Sequence, residues 1–378
     1  MLYLDHAATS PVRPEVRAAM EPFLAVTFGN PSSRHTAGEA AALALADARR
    51  RVARVLGMRA GDIVFTSGGT EANNLAIKGI ALAALERGAR HLVVSPIEHE
   101  SILESVAFLR RFHGVEVTVL PVDRHGRIAP QSVVDAARDD TALVSFGHAN
   151  NEIGTVQDAP ALIAAAHAAG TVVHLDAVQS AGWLPLAGLD TDAVSIAGHK
   201  LGAPKGIGVL AVRGRVPLEP LLHGGGQERG RRSGTENVAG AVALATALEL
   251  AEAERDATSV RVGAATRRFI DAVLGAVPRA ELTGDPTHRL PCTASFTFAG
   301  TSGEAVLLEL ERRGVISSSG SACAAGSDEP SPVLVACGID PVVAQTSVRF
   351  TFGRDVLSDD APERLAALVA EAVRAVAS

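Results

Sequence analysis

The sequence predicts an α/β protein: a mostly parallel central sheet with helices on both faces, and a smaller α+β domain beside it. Three observations carry that expectation. Short runs rich in Val, Ile and Leu recur at 63–66, 91–95, 115–120, 142–147, 171–176, 193–197 and 208–212. Helical patterns fill gaps between them, near 100–112, 130–138 and 158–169. Strands that are apolar along their length suit a sheet covered on both faces, and strand–helix alternation implies parallel crossovers. The third observation is a change of pattern after a long helical run from Thr235 to about residue 255.

Taken in order, residues 1–13 read as extended, closed off by Pro11 and Pro14. A helical stretch leads to a loop at 28–33, and an Ala/Arg/Leu pattern predicts a helix over 37–56. The strands and helices of the sheet follow. Beyond residue 255 come a helix near 259–277, a strand near 294–299 and a helix near 303–313. A stretch rich in Ser, Gly and Ala, a strand near 347–352 and an amphipathic helix complete the chain. The expected division is a large domain at 14–255 and a small one made of 1–13 plus 256–378. No linker of low complexity and no internal repeat interrupts it.

Bulk properties narrow the function. The 378 residues carry a formal net charge of −7, with no basic run, which argues against nucleic acid as a partner. The first residues lack a cationic segment followed by an apolar one, so no signal peptide is expected. No window of 18 apolar residues is available for a membrane span. The three cysteines, Cys292, Cys323 and Cys337, have no paired spacing, which points to a reducing compartment, read as the cytoplasm.

Only three of the 35 Lys and Arg residues are lysine: Lys78, Lys200 and Lys205. Lys200 lies in Ser195-Ile-Ala-Gly-His-Lys-Leu-Gly, where a strand pattern runs into glycines. Arg cannot lose its proton and so cannot bond covalently to an aldehyde; Lys can. Lys200 is therefore a candidate anchor for an aldehyde cofactor, or else a solvated loop lysine.

Several strand ends carry further candidates. Ser67-Gly-Gly-Thr70 opens a helix whose free N–H groups could hold a phosphate, or form a tight turn capped by Thr70. Asp176 ends the 171–176 strand; a carboxylate there either pairs with a cation such as a protonated pyridine nitrogen or caps the next element. Gln179 follows within reach. His99, in Ile97-Glu-His-Glu, could stack on a flat ring, move protons or be structural. Asn150-Asn151 after the 142–147 strand offers amides, or satisfies a turn. His223-Gly-Gly-Gly226 looks like an oxyanion-hole motif, but no Gly-x-Ser-x-Gly elbow accompanies it, so a hydrolase is set aside. Arg232-Ser-Gly-Thr235 is a second possible phosphate donor. Cys323 sits among Ser, Gly and Ala in a stretch expected to be mobile, as a candidate nucleophile or an incidental surface thiol.

The order of these motifs, Gly-Gly-Thr, Glu-His, Asn-Asn-Glu, Asp-x-x-Gln, His-Lys, Arg-Ser-Gly-Thr and Ser-Ala-Cys, follows Leu4-Asp-His-Ala-Ala-Thr9 at the front. It closely resembles the NifS/IscS-type cysteine desulfurases. These belong to the class V aminotransferase family, with fold type I among pyridoxal 5′-phosphate (PLP) enzymes, and the resemblance spans essentially the whole chain. It implies that Lys200 anchors PLP, Asp176 pairs with the pyridinium nitrogen, Gln179 bonds the ring's phenolic oxygen and His99 stacks on the ring. It further implies that Asn151 contacts the cofactor and that Gly69, Thr70 and His199 hold the phosphate. Thr235 should reach that phosphate from the partner subunit of a homodimer. Arg349 is implied as the binder of the substrate carboxylate, with Asn30 nearby.

The implied reaction converts L-cysteine to L-alanine. Lys200 removes the Cα proton, and the Cys323 thiolate takes the substrate sulfur as a persulfide for an acceptor protein of iron–sulfur assembly or tRNA thiolation. The Ser/Gly/Ala stretch resembles the housekeeping and nitrogenase-type group, which carries a long cysteine loop. Selenocysteine lyase or another aminotransferase-type reaction would use the same cofactor without needing Cys323 as nucleophile. A non-catalytic scaffold would have no need of Lys200. One departure stands out: the family commonly has Ser two residues before the His of His-Lys, and here that position is Ala197. Ser195 is expected to face away from the phosphate and not to replace it, so cofactor retention should be weaker than in a Ser-bearing relative.

Overall fold

The computed structural model describes residues 1–320, 329–355 and 358–377. Its strands are Leu2–Tyr3 (β1), Ile63–Thr66 (β2), His91–Val94 (β3), Glu116–Val119 (β4), Thr141–Gly147 (β5) and Val172–Asp176 (β6). Then come Ala193–Ala197 (β7), Gly208–Val212 (β8), Ala280–Leu282 (β9), Thr293–Phe298 (β10), Val315–Ile316 (β11) and Val348–Thr351 (β12).

Seven of these form the main sheet in the order β2-β8-β7-β6-β5-β3-β4. β8 pairs antiparallel with both neighbours, and the other pairs are parallel. The chain between β7 and β8 is too short for a crossover helix, so β8 must return antiparallel. That short return carries Lys200.

Both faces of the sheet are apolar because both are covered. Ile63 and Phe65 join one core with Leu45, Val52, Leu162 and Leu244, while Val64 between them joins another with Leu75, Ile77 and Leu109. Successive strand side chains point to opposite faces, so an unbroken apolar run feeds two cores. Helix Thr36–Leu56 buries Ala41, Leu45, Ala48, Val52 and Leu56, a stripe at the three-to-four spacing of one helix face. It stops at Gly57, whose φ of 64° suits a residue without Cβ.

The smaller domain is built on the antiparallel sheet β12-β10-β9. Helices Arg255–Ala276 and Ala361–Val376 contribute Phe269, Val273, Leu365 and Val369 to its core. Phe269 stands edge-on to Phe296, Phe350 and Phe352, with centroids 5.1–6.0 Å apart, a favoured aromatic geometry. β1 pairs with β11, and Leu4 lies in this same core, which ties the amino terminus to late parts of the chain. Among the described residues no helix is long and apolar enough to cross a membrane.

The helical run expected from Thr235 begins at Val238, capped by the Asn237 side chain, and ends at Ala253. The next helix starts almost at once, at Arg255. Strands β1, β9 and β11 have two or three residues each, too few for a period to be read.

Candidate active site

Strands β2, β3, β5, β6 and β7 end at one cavity of about 610 Å³. Ligands of open α/β sheets bind at the carboxyl ends of the strands, where loops and helix starts supply polar groups without breaking the sheet. Nine of the twelve residues singled out in the sequence line it, as does Ala197.

Lys200 stands in the tight turn Gly198–Lys200 that follows β7. Its Nζ donates to the carbonyls of Ala7 and Ala8, the latter at 2.8 Å. The Gln179 side chain also donates to Ala7, and Ser10 N–H donates to the carbonyl of His199. The Asp-His-Ala-Ala-Thr segment near the amino terminus is therefore the floor on which Lys200 and Gln179 rest.

Asp176 terminates β6 and is buried. Its Oδ1 accepts from Val178 N–H at 2.9 Å and its Oδ2 from Asn73 Nδ2 at 2.7 Å. No helix follows it, so the carboxylate fixes a turn while facing the cavity. His99 caps helix Glu100–His113, its Nδ1 accepting from Ser101 N–H at 3.0 Å.

The glycine turn behaves as its sequence requires. Gly68 caps helix Gly69–Leu85, and Glu71 in its first turn reaches back to Ser67 N–H at 2.7 Å. Arg232 pairs with Glu71 at 2.8 Å. Gly208 on β8 lies so close to Gly68 that a Cβ would stand 2.5 Å from the Gly68 carbonyl carbon. Gly69 and Thr70 of this helix start line the cavity together with Ala197 and His199, and the first N–H groups of a helix have no partner within it. Burial, with Lys200 and Lys205 adding to it, pushes His199 down to about 4, so it is neutral at pH 7. Its Nδ1 lies 3.1 Å from Thr9 Oγ1.

Strand alternation corrects the expectation for Ser195. Ser195 and Ala197 are two apart and share one face of β7. Ser195 cannot replace the missing hydroxyl for another reason: it lies one step back, fully buried, with its Oγ 2.8 Å from His174 Nε2.

Arg349 on β12 reaches in from the smaller domain. It is 2% exposed, pairs with Asp5 at 2.7 Å and donates to the Asn151 carbonyl at 2.9 Å, while its Nε is buried without a partner. Asn150, not Asn151, is used up structurally, bonding Ile97 O, Glu152 N–H and Ile153 N–H. Asn151 is left to face the cavity.

Three predicted residues are not brought there. Asn30 is exposed and its Oδ1 accepts from Ser32 N–H. Thr235 is exposed and does not line the cavity of its own chain. Cys323 lies outside the described residues. Cys292 and Cys337 are buried, and burial pushes both thiols up to about 11, away from nucleophilic duty.

The sequence reading passed over Glu98, Asn73, Asp5 and the carbonyls of Ala7 and Ala8. Burial, with the Asp176 charge adding to it, pushes the Glu98 carboxyl up to about 8. Asp5, Ala7, Ala8 and Glu98 lie inside quoted motifs and Asn73 lies three residues beyond Ser67-Gly-Gly-Thr70, so position was the one signal that could have flagged them. A second cavity, of about 720 Å³, opens on the other side of Ala7, Gln179 and Lys200. It lacks Asp176 and the glycine turn, and its wall is closed by the Arg13–Glu254 pair and by Arg354 stacked on Trp183.

An aldehyde-bearing pyridine phosphate fits the first cavity. It offers an amine, a fixed carboxylate, a helix start for an anion, and two buried polar atoms without partners, Asn73 Oδ1 and Arg349 Nε.

The chain belongs to the class V aminotransferase family, whose profile (aminotransferase class-V) matches residues 2–362. Membership implies dependence on pyridoxal 5′-phosphate. The chain is 44% identical over 361 residues to the cysteine desulfurase IscS of Dictyoglomus turgidum, spanning 95% of this chain and 91% of that protein. A solved NifS-like protein superposes with a TM-score of 0.91 at 32% identity, over 99% of this chain and 100% of that one. A structure of SspA in complex with cysteine matches with a TM-score of 0.82 at 35% identity, over 94% and 100% respectively.

Proposed function

We propose that this protein is a PLP-dependent cysteine desulfurase that passes sulfur from L-cysteine to a thiol of its own. The observation that carries the reading is the convergence of Lys200, Asp176 and Arg349, from three distant parts of the chain, on one cavity. Full-length identity to relatives named cysteine desulfurase supports it.

PLP, when bound, supplies an electron sink for the pair left at the substrate Cα. Lys200 would hold it covalently, Asp176 would face its ring nitrogen, Gln179 its phenolic oxygen, and His99 and Asn151 its ring. Gly69, Thr70 and neutral His199 would hold its phosphate. The chain's own groups do the rest. Arg349 binds the substrate carboxylate by charge-assisted hydrogen bonds. The Lys200 amine, set free once the substrate's own amine has taken its place, takes the Cα proton. The Cys323 thiolate attacks the substrate sulfur; the new S–S bond forms as the C–S bond breaks, leaving a persulfide and, after protonation, alanine. Ser318, five residues before Cys323, exchanges backbone hydrogen bonds with Arg349 at 2.7 and 3.2 Å, so the chain leaves for Cys323 from beside the substrate binder.

The division into 14–255 and 1–13 plus 256–378 belongs to the same proposal, supported by the pairing of β1 with β11 and the place of Leu4 in the smaller core. So does a cytoplasmic homodimer that hands sulfur to an acceptor protein. Exposed Thr235 would complete the partner's phosphate site, and exposed Leu24, Val26 and Phe28 next to Asn30 supply apolar surface for the contact.

The test is incubation with L-cysteine and PLP, measuring alanine and the mass of the Cys323 peptide. One alanine per sulfur added to Cys323 is expected, with sulfur transfer lost in Cys323→Ala. Full sulfur release by Cys323→Ala would instead favour a lyase or aminotransferase reaction.

A further inference from the structure

Two residues that flank the cavity, Asp176 and His99, come from different elements, yet they are joined through side chains that no motif marks. Asn73 lies on helix Gly69–Leu85 and is 1% exposed. Its amide nitrogen donates to Asp176 Oδ2 at 2.7 Å and to Ser101 Oγ at 2.9 Å. Ser101 Oγ lies 2.8 Å from His99 Nδ1, and Ser101 N–H also donates to that nitrogen at 3.0 Å. Ser101 is itself buried, and the turn that carries it is held by Ser105, whose hydroxyl donates to the Ser101 carbonyl at 2.6 Å.

The direction of each proton follows. Both N–H bonds of the Asn73 amide are spent, one on each side. Ser101 Oγ accepts from Asn73, so its own proton is free to go to His99. His99 Nδ1 therefore accepts twice, which leaves the ring N–H on Nε2. Asp176 is presented as an acceptor with both oxygens oriented. The orientation of Asn73 is not arbitrary, because the amide oxygen turned toward Asp176 would set acceptor against acceptor. Asn73 Oδ1 has no partner in this arrangement, although it is buried. Of the two polar atoms of this amide, the nitrogen alone makes hydrogen bonds among the described residues.

We propose that Asn73 and Ser101 are positioning residues that act as one hydrogen-bonded unit, fixing the Asp176 carboxylate and the Nε2–H tautomer of His99 for a flat cationic heteroaromatic ligand. The proposal rests on the reading of the cavity as the PLP site. Asn73 and Ser101 act through Asp176 and His99 and need not touch the ligand's reacting atoms. The coupling also runs both ways: displacing His99 loosens Asp176, and the reverse.

The experiment uses the full chain loaded with PLP, comparing wild type with Asn73→Leu, Ser101→Ala, Ser101→Thr and the Asn73→Leu/Ser101→Ala double variant. Readouts are the rate of PLP dissociation, the visible absorption of the loaded protein and the pH profile of kcat/KM. Asn73→Leu is expected to speed dissociation by about tenfold, the scale of one hydrogen bond to a charged group, and Ser101→Ala by roughly three- to tenfold, the scale of a neutral one; both should shift the absorption and the pH profile. Ser101→Thr keeps the hydroxyl and restores all three. The double variant is no worse than Asn73→Leu alone, because one unit is broken once. If Asn73→Leu does not fold, the Ser101 pair carries the same test. Unchanged dissociation and absorption in Ser101→Ala, or effects that multiply in the double variant, overturn the relay. A wild-type chain that takes up no PLP overturns the reading of the cavity, and the relay with it.

Discussion

The two ends of the cavity are built differently. At the Asp176 end the protein supplies its own partners: both carboxylate oxygens are bonded, and Asn73, Ser101 and His99 form a continuous network. At the glycine-turn end the donors are left open. Thr70 is exposed, the first N–H groups of its helix are unspent, and Ala197 stands where a hydroxyl was expected. A ring that must be electronically tuned needs a preorganised partner, because a loose carboxylate would not hold charge at one atom. A phosphate needs only enough donors, and helix N–H groups supply several at once. One end is therefore sensitive to single changes and the other tolerant.

The largest effect should come from the tuned end. On the proposed reading Lys200→Ala removes both the covalent anchor and the base, and should lower kcat/KM for alanine formation by roughly 10²–10⁴. Glu98→Gln probes the burial of that end. A carboxyl raised in the fold binds its proton more tightly there than in the unfolded chain. Its stabilising contribution is present below the unfolded value and lost as pH rises through about 8. Cofactor-free wild type should lose stability between about pH 5 and pH 8, by at most about 5 kcal/mol at roughly 1.4 kcal/mol per unit. Urea unfolding should show Glu98→Gln largely free of that slope; equal slopes would mean that Glu98 is ionised or solvated.

Arg349→Gln should raise KM for L-cysteine by roughly ten- to a hundredfold, from the loss of about 1.5–3 kcal/mol, with kcat less affected. A fall confined to kcat would move Arg349 from binding to chemistry. The smallest effect belongs to the tolerant end. Ala197→Ser should slow PLP release by less than about tenfold, because the one added hydrogen bond joins donors the helix start already supplies, whereas Ser195→Ala should not change it, because that hydroxyl serves His174. No tightening in Ala197→Ser would show that the helix N–H groups already suffice.

Much of this was legible in the chain. Lysine is rare here, so Lys200 drew attention, and its place after an apolar strand foretold its place at a strand end. Asp176 was readable for the same reason. The apolar strands gave the two-faced sheet because burial on both faces leaves no polar alternation. Less was readable where meaning lies in distant contacts. Asn73 lies three residues beyond the quoted Ser67-Gly-Gly-Thr70, and its role depends on Asp176, 103 residues away. Ala7 and Ala8 act only through carbonyls, which no side-chain pattern records. Ser195 was placed on the wrong face, although the count of two from Ala197 was available. β8 also had its direction written in the short connection that carries Lys200.

On the proposed function, Lys200 is the group that holds the cofactor. Borohydride reduction of the PLP-loaded protein, followed by peptide mass mapping, tests this directly, since the chain offers only Lys78, Lys200 and Lys205. The predicted result is a single reduced adduct on Lys200, absent from Lys200→Ala. An adduct on Lys78 or Lys205, or none at all, would contradict it.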